Sequence, residues 1–401
     1  MTSLFTPAGR AALALASDLA GGGRGGDPLA AAEALRRQGV PPDLAAAALT
    51  QVDLRGRAAA KFGADASRMY FTRAGLEQAT RAPVAARRAL RLAAAGVTSV
   101  ADLGCGIGAD TIAFARAGIR VRAVESDPGT VAVAAANAAA LGLAGLVEVR
   151  CADARDVDLA GVDAVFCDPA RRRGTGRVFD PRAWSPPWSF VAGLVHQVPR
   201  TVLKLAPGVG HDLIPQGAEA EWVSVDGDVV EAAFWCGPLA SAARRATLLP
   251  SLAGTWAGQA GQRSSAAGLT GSGAAAAPVG PVRRYLYEPD GAVVRAHLVA
   301  EFAATVDGNL ADADIAYVYS DTAAGTPFGR RYEVLDVLPF SVKRLRAALR
   351  ARDIGRLTVK KRGSPLDPDE FRKAMRLDGT AEATVVLTRV AGAPTALLVN
   401  P

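Results

Sequence analysis

A glycine-rich turn and the acidic residues around it are the first candidates for chemistry in this sequence. Asp102 is followed by Gly104, Gly106 and Gly108, at the end of an apolar run. Glycines at this spacing let the backbone turn tightly and let a ligand approach closely. Glu125 stands 21 residues after Gly104, where a carboxylate can accept hydrogen bonds from the hydroxyls of a ribose. The pattern predicts a nucleoside-binding turn.

The same turn is also compatible with a second class of ligand, a dinucleotide. Gly104, Gly106 and Ala109 also fit a dinucleotide-binding pattern. Asp102 would repel a pyrophosphate and favours a ligand that carries cationic groups. Asp153 follows the third apolar run, and its carboxylate can accept a hydrogen bond from an adenine amino group. An NAD-dependent dehydrogenase is therefore the disfavoured alternative.

A second candidate is the sequence Asp168-Pro169-Ala170-Arg171, which follows the apolar run Val162–Cys167. The amino group of a nucleic acid base is a poor nucleophile because its lone pair is delocalised into the ring. The Asp168 carboxylate and the Pro169 carbonyl can accept its protons and so localise the lone pair. Proline also fixes the backbone that carries this carbonyl. The residues predict chemistry on an exocyclic amine.

The elements that must position these residues alternate between strand and helix. Short apolar runs separated by helical segments predict a parallel sheet covered on both faces. The predicted strands are Ser99–Leu103, Arg120–Glu125, Val147–Cys151, Val162–Cys167 and Thr201–Ala206, and the helices include Ala109–Ala117 and Pro128–Ala140. Asp226-Gly227-Asp228 predicts a hairpin between Glu221–Val225 and Val229–Trp235. Ligands bind at the carboxyl ends of such parallel strands.

With these motifs, residues 98–236 resemble class I S-adenosylmethionine-dependent methyltransferases. The resemblance implies an α/β fold, with a Rossmann-like sheet of seven strands whose last strand is antiparallel. It implies S-adenosyl-L-methionine as cofactor, with the glycine loop under its methionine and ribose, Glu125 on the ribose and Asp153 on the adenine amine. The candidate cofactor-binding residues are Asp102, Gly104, Cys105, Gly106, Gly108, Glu125, Asp153 and Ala154; the candidate catalytic residues are Asp168 and Pro169.

The catalytic motif resembles the Asp/Asn-Pro-Pro-aromatic motif of amine methyltransferases but departs from it at two positions. Ala170 replaces the second proline, and Arg171 replaces the aromatic residue that stacks on the target base. Arg171 and Arg172 can stack through their guanidinium planes or hold phosphates. Alternatively, Trp184 or Trp188 supplies the stacking face, in a loop on the substrate side. Core packing explains Trp188 equally well.

Two further features surround this motif. The block 61–80 is rich in polar and aromatic residues, and it stands where a segment can cover the cofactor. It is loosely similar to the region before the first motif in trimethylguanosine synthases. Lys204, within an apolar run, either points into the site or extends to solvent.

The C-terminal part carries the excess positive charge of the chain. The net charge is +7, and residues 330–376 contain fourteen Lys and Arg against six Asp and Glu. A localised basic patch is typical of a polyanion-binding surface, although a solvated helix face explains it equally well. Residues 283–401 resemble a THUMP-like domain, through sequences such as Thr326-Pro327-Phe328 and Lys360-Lys361-Arg362-Gly363. This resemblance implies RNA binding. The candidate phosphate contacts are Lys343, Arg344, Arg346, Arg350, Lys360, Lys361 and Arg362.

The predicted organisation has four parts within 401 residues. These are an N-terminal helical region (1–95), the methyltransferase domain (96–250), a Gly/Ala/Ser-rich linker or disordered loop (251–281) and a THUMP-like α+β domain (282–401). The chain has no apolar run of the ~18 residues that a membrane helix needs. The early residues lack the pattern of an export signal. Four unpaired cysteines and three histidines argue against a disulfide scaffold or a metal site, and we expect the reducing cytoplasm as compartment.

These observations predict an S-adenosylmethionine-dependent methyltransferase that acts on an exocyclic amine of an RNA base. Analogy to trimethylguanosine synthases favours guanine N2. One alternative is a methyltransferase of a protein or small molecule. Another is a cofactor-binding RNA chaperone without turnover, suggested by the missing aromatic residue at Arg171. The sequence names neither the RNA species nor the oligomeric state.

Overall fold

The structure is a computed structural model that describes residues 2–21, 28–170, 172–173, 176–177, 180–251 and 266–400. The chain forms two compact units. The first comprises Met1–Glu219, Ala232–Ser241 and Leu249–Ser265, and the second comprises Ala220–Glu231, Ala242–Leu248 and Ala266–Pro401. The predicted boundary at residue 95 does not separate these units, because the N-terminal helices share a core with helices of the sheet region. Among the described residues, no helix combines the length and hydropathy needed to span a bilayer.

Five helices precede the sheet, as the composition of residues 1–95 predicts. They are α1 (Pro7–Gly21), α2 (Pro28–Arg37), α3 (Pro42–Phe62), α4 (Arg73–Gln78) and α5 (Ala82–Ala94). Thr72 caps α4, where its hydroxyl accepts a hydrogen bond from Gly75 N at 2.9 Å. Buried side chains of α1–α4 pack with Ile107, Ile112 and Val133, which belong to the glycine loop and the two helices after it. This shared core is why residues 1–95 do not form a separate unit.

The central elements follow the predicted alternation of strand and helix. The strands are β1 (Ser99–Leu103), β2 (Arg120–Glu125), β3 (Val147–Cys151), β4 (Ala164–Cys167), β5 (Arg172–Arg173), β6 (Gly176–Arg177), β7 (Thr201–Leu205), β8 (Glu219–Val225), β9 (Asp228–Trp235), β10 (Arg244–Leu249) and β11 (Ala267–Gly271). The helices are α6 (Ala109–Arg116), α7 (Pro128–Ala140) and α8 (Trp188–Gln197). The strand order of the main sheet is β11-β10-β8-β9-β7-β4-β1-β2-β3.

The strand order confirms the predicted α/β class and adds two strands to it. The run from β8 to β3 has the seven predicted strands, with β4, β1, β2, β3 and β7 parallel and β9 antiparallel to β7. Asp226 and Gly227 have φ of 52° and 90°, as the predicted β8–β9 hairpin turn requires. The additional strands β10 and β11 pair antiparallel. Strand β11 lies within the predicted linker 251–281, of which residues 252–265 fall outside the described part.

The register of the parallel strands decides which residues meet at the carboxyl edge of the sheet. Leu103 of β1 is level with Cys167 of β4, and Cys167 is level with Leu203 of β7. The next residues along these strands are therefore neighbours. Gly104, Asp168 and Lys204 emerge side by side at this edge.

The C-terminal residues form a second sheet with helices packed against it. Its strands are β12 (Tyr285–Pro289), β13 (Asn309–Leu310), β14 (Val318–Ser320), β15 (Gly329–Pro339), β16 (Ile354–Lys361), β17 (Ala381–Val390) and β18 (Ala393–Asn400). Its helices are α9 (Gly291–Arg295), α10 (Val299–Thr305), α11 (Val342–Arg350) and α12 (Pro368–Met375). The strand order is β13-β14-β12-β15-β18-β17-β16. Leu345, Leu349, Phe371 and Met375 bury α11 and α12 against this sheet, which makes it α+β as predicted.

Candidate active site

The glycine loop takes a backbone path that side chains rarely allow. Gly104, Gly106 and Gly108 have φ of 85°, 55° and 88°. The amides of Gly104 and Cys105 both donate to the carbonyl of Val124, at 2.9 and 3.0 Å. A Cβ atom on Gly104 would lie 2.9 Å from the carbonyl oxygen of Asp168, whereas one on Gly106 would meet nothing within 4 Å. The loop is therefore closed toward Asp168 at Gly104 and open at Gly106.

Glu125 is held beside the open part of this loop. Its Oε2 accepts a hydrogen bond from Gly106 N at 3.2 Å. Its Oε1 accepts from Ser126 N at 2.8 Å and Asp127 N at 3.1 Å. These three backbone amides fix the position and the orientation of the carboxylate at the end of β2.

Asp102 lies beneath the loop and is fully buried. Its Oδ2 accepts from the Thr111 hydroxyl at 2.5 Å, while its Oδ1 is buried without a hydrogen-bond partner in the described residues. Burial, and then the charge of Asp110, raise the pKa of Asp102 to about 8. A buried acceptor without a hydrogen-bond donor lowers the stability of the fold. The unpaired Oδ1 of Asp102 therefore suits a ligand with a cationic or hydrogen-bond-donating group.

The Asp153 side chain is already engaged by a neighbour. It accepts from Arg155 N at 2.9 Å and pairs with the Arg155 guanidinium at 2.7 Å. The hydrogen bond to the Arg155 side chain is the main reason that the pKa of Asp153 falls to about 2. Ala154 opens the short 3-10 helix that Asp153 caps. Ala152 N donates to Glu125 O at 3.1 Å, so this turn adjoins the end of β2.

Asp168 and Pro169 leave β4 directly beside the glycine loop. Asp168 N donates to Leu103 O at 3.2 Å. The Asp168 carboxylate pairs with the ammonium of Lys204. Of the two predictions for that lysine, the side chain therefore points into the candidate site and does not extend to solvent. The exposed fractions are 34% for the Asp168 side chain and only 12% for Lys204, so the carboxylate is open to a ligand while the ammonium is covered.

The tryptophan-containing loop is joined to the same strand end. Ala170 and Ser185 exchange two backbone hydrogen bonds, of 2.8 and 2.9 Å. The half-buried Trp188 begins α8 three residues later, and its ring meets the buried Trp184 ring edge to face, with centroids 6.0 Å apart. Arg171 lies outside the described residues, and for Arg172 only the backbone, in β5, is described. Of the two predicted stacking groups, the structure therefore describes only the tryptophans.

Sequence reasoning missed two sets of contacts that hold block 61–80 in place. The first lies within the block, and the second joins the block to the glycine loop. Lys61 Nζ donates to the carbonyls of Leu76, Glu77 and Ala79, at 2.6, 2.9 and 3.1 Å. Its burial, with the nearby charges of Arg81 and Lys204, lowers the pKa of Lys61 to about 8.

Asn137 makes the second connection of this kind. Its side chain is fully buried and accepts from Tyr70 N at 2.6 Å. It also donates to Tyr70 O at 3.0 Å and to Ile107 O at 2.9 Å. A lone amide within the Ala-rich helix α7 was the signal that the sequence offered, but nothing in the sequence identifies its partners.

The C-terminal candidates are engaged within their own unit. Lys360 pairs with Glu288 at 2.6 Å and lies over the Tyr332 ring. Burial opposes its charge, but the hydrogen bond and the charge of Glu288 raise the pKa of Lys360 above its ordinary value. Lys361 donates to Leu366 O at 2.7 Å. Arg362 donates to Ala316 O at 2.7 Å. These bonds give all three residues a structural role.

The residues at the sheet edge fit S-adenosylmethionine. The open turn at Gly106, the fixed carboxylate of Glu125 and the unpaired oxygen of Asp102 together form a cradle with acceptors for hydroxyl and amino groups. When bound, this cofactor supplies an electrophilic methyl group on a sulfonium sulfur. Asp168 and Pro169 stand beside the cradle as acceptors for the protons of a nucleophile. The described residues contain no group of three His, Cys, Asp or Glu side chains that could hold a metal ion.

Comparison with known proteins agrees with this geometry. Family models match a methyltransferase domain at residues 100–171, a THUMP domain-like region at 329–401 and a domain of unknown function at 1–58. The "putative methyltransferase from Porphyromonas gingivalis W83", a crystal structure, has 22% identity and a TM-score of 0.68 over 90% of each chain, and so shares the fold.

Two curated relatives extend the match over most of the chain. They are uncharacterized S-adenosylmethionine-dependent methyltransferases of Mycobacterium tuberculosis, from strains CDC 1551 / Oshkosh and ATCC 25618 / H37Rv. Each is 35% identical over 353 residues, which cover 84% of this chain and 90% of the relative. The chain therefore belongs to the S-adenosylmethionine-dependent methyltransferases, with a THUMP-like domain at its C-terminus.

Proposed function

We propose that this methyltransferase modifies an exocyclic amine of an RNA base. The observation that carries the proposal is the position of Asp168, followed by Pro169. The Asp168 backbone is hydrogen-bonded to the end of β1, directly beside the glycine loop. Two oxygen acceptors at this point suit an amine that must be oriented and must lose a proton as its nitrogen becomes bonded to carbon. The resemblance to trimethylguanosine synthases makes guanine N2 the first position to test.

The Trp184–Trp188 pair supports a base as the substrate. Its loop is bonded to Ala170, two residues after Asp168. A tryptophan ring from a loop attached at Ala170 can take the place of the aromatic residue that is missing at position 171, because every base offers a π face on which a ring can stack. A flat aromatic amine is therefore a better match to this loop than an aliphatic one.

The RNA part of the proposal is supported by the C-terminal domain. Its resemblance to THUMP domains implies RNA binding, and the positive charge of residues 330–376 suits a phosphate backbone. In the proposed function, residues 96–250 perform the chemistry, while residues 1–95 and 282–401 position the RNA. The compartment proposed for the reaction is the reducing cytoplasm, in keeping with four cysteines that show no paired spacing in the sequence.

The test is methyl transfer to RNA from a strain in which the gene has been deleted. Labelled S-adenosylmethionine and total RNA are incubated with the wild-type protein or with Asp168→Ala, and the labelled nucleoside is identified by mass spectrometry. We expect an N-methylated base from the wild type and a loss of at least about 100-fold in Asp168→Ala. Cofactor affinity, measured by calorimetry, should change little in Asp168→Ala.

Other outcomes would favour the other functions. Label in protein or small molecules, and none in RNA, would indicate the alternative substrates. Binding of RNA and of cofactor without any transfer by the wild type would indicate a binding protein. Either result would contradict the proposed function.

A further inference from the structure

The ion pair at the end of β4 and β7 has a role that the proposed function does not yet assign. Parallel pairing brings Cys167 level with Leu203, so that Asp168 and Lys204 follow as neighbours. Leu203 and Leu205 on either side of Lys204 are buried. Lys204 is thus an ammonium inserted between apolar residues of an inner strand, and it contacts the carboxylate that the substrate must meet.

Other ionisable side chains surround this pair. Asp102 on β1 lies close enough for its charge to interact with both Asp168 and Lys204. Asp110 on α6 adds another carboxylate, which Arg88 on α5 and the Thr80 hydroxyl bind. On the other side, Lys61 on α3 repels Lys204. Lys204 therefore stands between several carboxylates and one cation, and it pairs with the carboxylate that is open to a ligand.

We propose that Lys204 is a positioning residue that fixes the Asp168 carboxylate for the substrate amine, and that this pair makes the site selective for weakly basic aromatic amines. The inference rests on the proposed function and assigns a residue to its choice of amine. One carboxylate oxygen is held by Lys204, and the other accepts a hydrogen bond from the substrate amine.

The selectivity follows from where the proton goes. As the nitrogen–carbon bond forms and the carbon–sulfur bond breaks, the nitrogen becomes positively charged, and it then releases one proton to Asp168 and from there to water. A protonated aromatic amine is a strong acid, so a weak base suffices. An aliphatic amine such as a lysine side chain arrives already protonated, with a pKa of about 10.4. A carboxylate is a far weaker base than an aliphatic amine, so Asp168 leaves that proton in place and the lone pair stays unavailable. The Lys204 ammonium also repels the arriving cation.

The test compares Lys204→Met, which removes the cation, with Lys204→Arg, which keeps it. Removal of the cation should release the Asp168 carboxylate from its fixed position, whereas the guanidinium of arginine can still hold it.

Kinetics on RNA from the deletion strain give the readout. We expect kcat to fall about 30-fold in Lys204→Met, with KM for RNA changed less than about threefold. Lys204→Arg should recover most of kcat. Cofactor affinity and urea unfolding identify a variant that has simply lost its fold, and in that case Lys204→Gln takes its place.

The outcomes separate this inference from the proposed function. Absence of RNA methylation by the wild type contradicts the proposed function. An unchanged kcat in Lys204→Met, or a failure of Lys204→Arg to recover the lost kcat, contradicts the role of Lys204 while the wild type still methylates RNA. Methylation of polylysine by the wild type contradicts the selectivity for weakly basic amines.

Discussion

At the scale of single residues, Gly104 joins the cofactor loop to the catalytic strand end. Its φ is 85°, and a Cβ atom added at this residue would lie 2.9 Å from Asp168 O. In Gly104→Ala we expect methyl transfer to RNA to fall at least about 100-fold, because the new methyl group displaces the Asp168 backbone. Initial rates with labelled S-adenosylmethionine measure the effect.

Gly142→Ala is the matched control for this substitution. Gly142 has a φ of 77°, but a Cβ there would meet nothing within 4 Å. Both variants bear the backbone cost of about 1–2 kcal/mol for a side chain with positive φ, so both lower the urea midpoint. Only Gly104→Ala should lose activity. Equal activity in the two variants would show that the contact with Asp168 is unimportant.

The residues of the candidate site divide into those that the sequence predicts and those that it cannot. Asp102, Glu125 and Asp168 are recognisable because each follows a fixed position in a local strand-and-turn pattern. The contacts of Lys61 with the carbonyls at 76–79 depend on how distant segments pack. The engagement of Lys360 by Glu288 depends on a partner 72 residues away. Local patterns carry no information about such partners.

At the scale of elements, some strands can be predicted from the sequence and others cannot. The predicted bounds of β1, β2 and β3 agree with the structure because each strand has apolar residues at successive or alternate positions between turn residues. Strand β11, Ala-Gly-Leu-Thr-Gly, has no such pattern and pairs with β10 through its backbone. Its composition predicted a linker. Backbone pairing of this kind depends on a neighbouring strand rather than on the strand's own side chains.

The attachment of residues 68–80 to the glycine loop gives a prediction at this scale. Asn137 makes three buried hydrogen bonds, two to Tyr70 and one to Ile107. In Asn137→Ala we expect a loss of about 2–4 kcal/mol of unfolding free energy, because buried backbone groups lose their partners. Amide exchange at residues 68–80 should accelerate more than elsewhere, and cofactor affinity should fall. Urea unfolding, hydrogen-exchange mass spectrometry and calorimetry measure these effects.

Thr130→Ala on the same helix is the control. The Thr130 hydroxyl bonds to Asp127 at 2.7 Å in an exposed position at the start of α7. Its loss should cost less than about 1 kcal/mol and leave exchange at residues 68–80 unchanged. If both variants accelerate that exchange equally, the block is held by the general stability of α7 and not by Asn137.

At the scale of the whole molecule, some of the basic residues among 330–376 already bind partners within the protein. Fewer of them therefore remain as candidates for phosphate contacts. Arg346 and Arg350 donate to the carbonyls of Ala374 and Arg376, each at 2.6 Å, and so fasten α11 to the end of α12. Lys343 and Arg344 on α11 are exposed, and within the described ranges no ion pair engages either side chain. These two residues are therefore the better candidates for phosphate contacts.

Neutralising that pair tests whether the domain binds RNA through charge. In Lys343→Gln/Arg344→Gln we expect RNA affinity to fall about 10-fold at low salt and the slope of log affinity against log salt to decrease by about two. Methyl transfer at saturating RNA should keep its rate, because the sheet edge is unchanged. Arg36→Gln/Arg37→Gln on α2 removes the same charge from another exposed helix and controls for net charge. A similar loss in both double variants would mean that the RNA does not depend on a surface on α11 in particular, since basic residues of the N-terminal helices attract it equally. An unchanged salt slope in the α11 variant would exclude these residues as phosphate contacts.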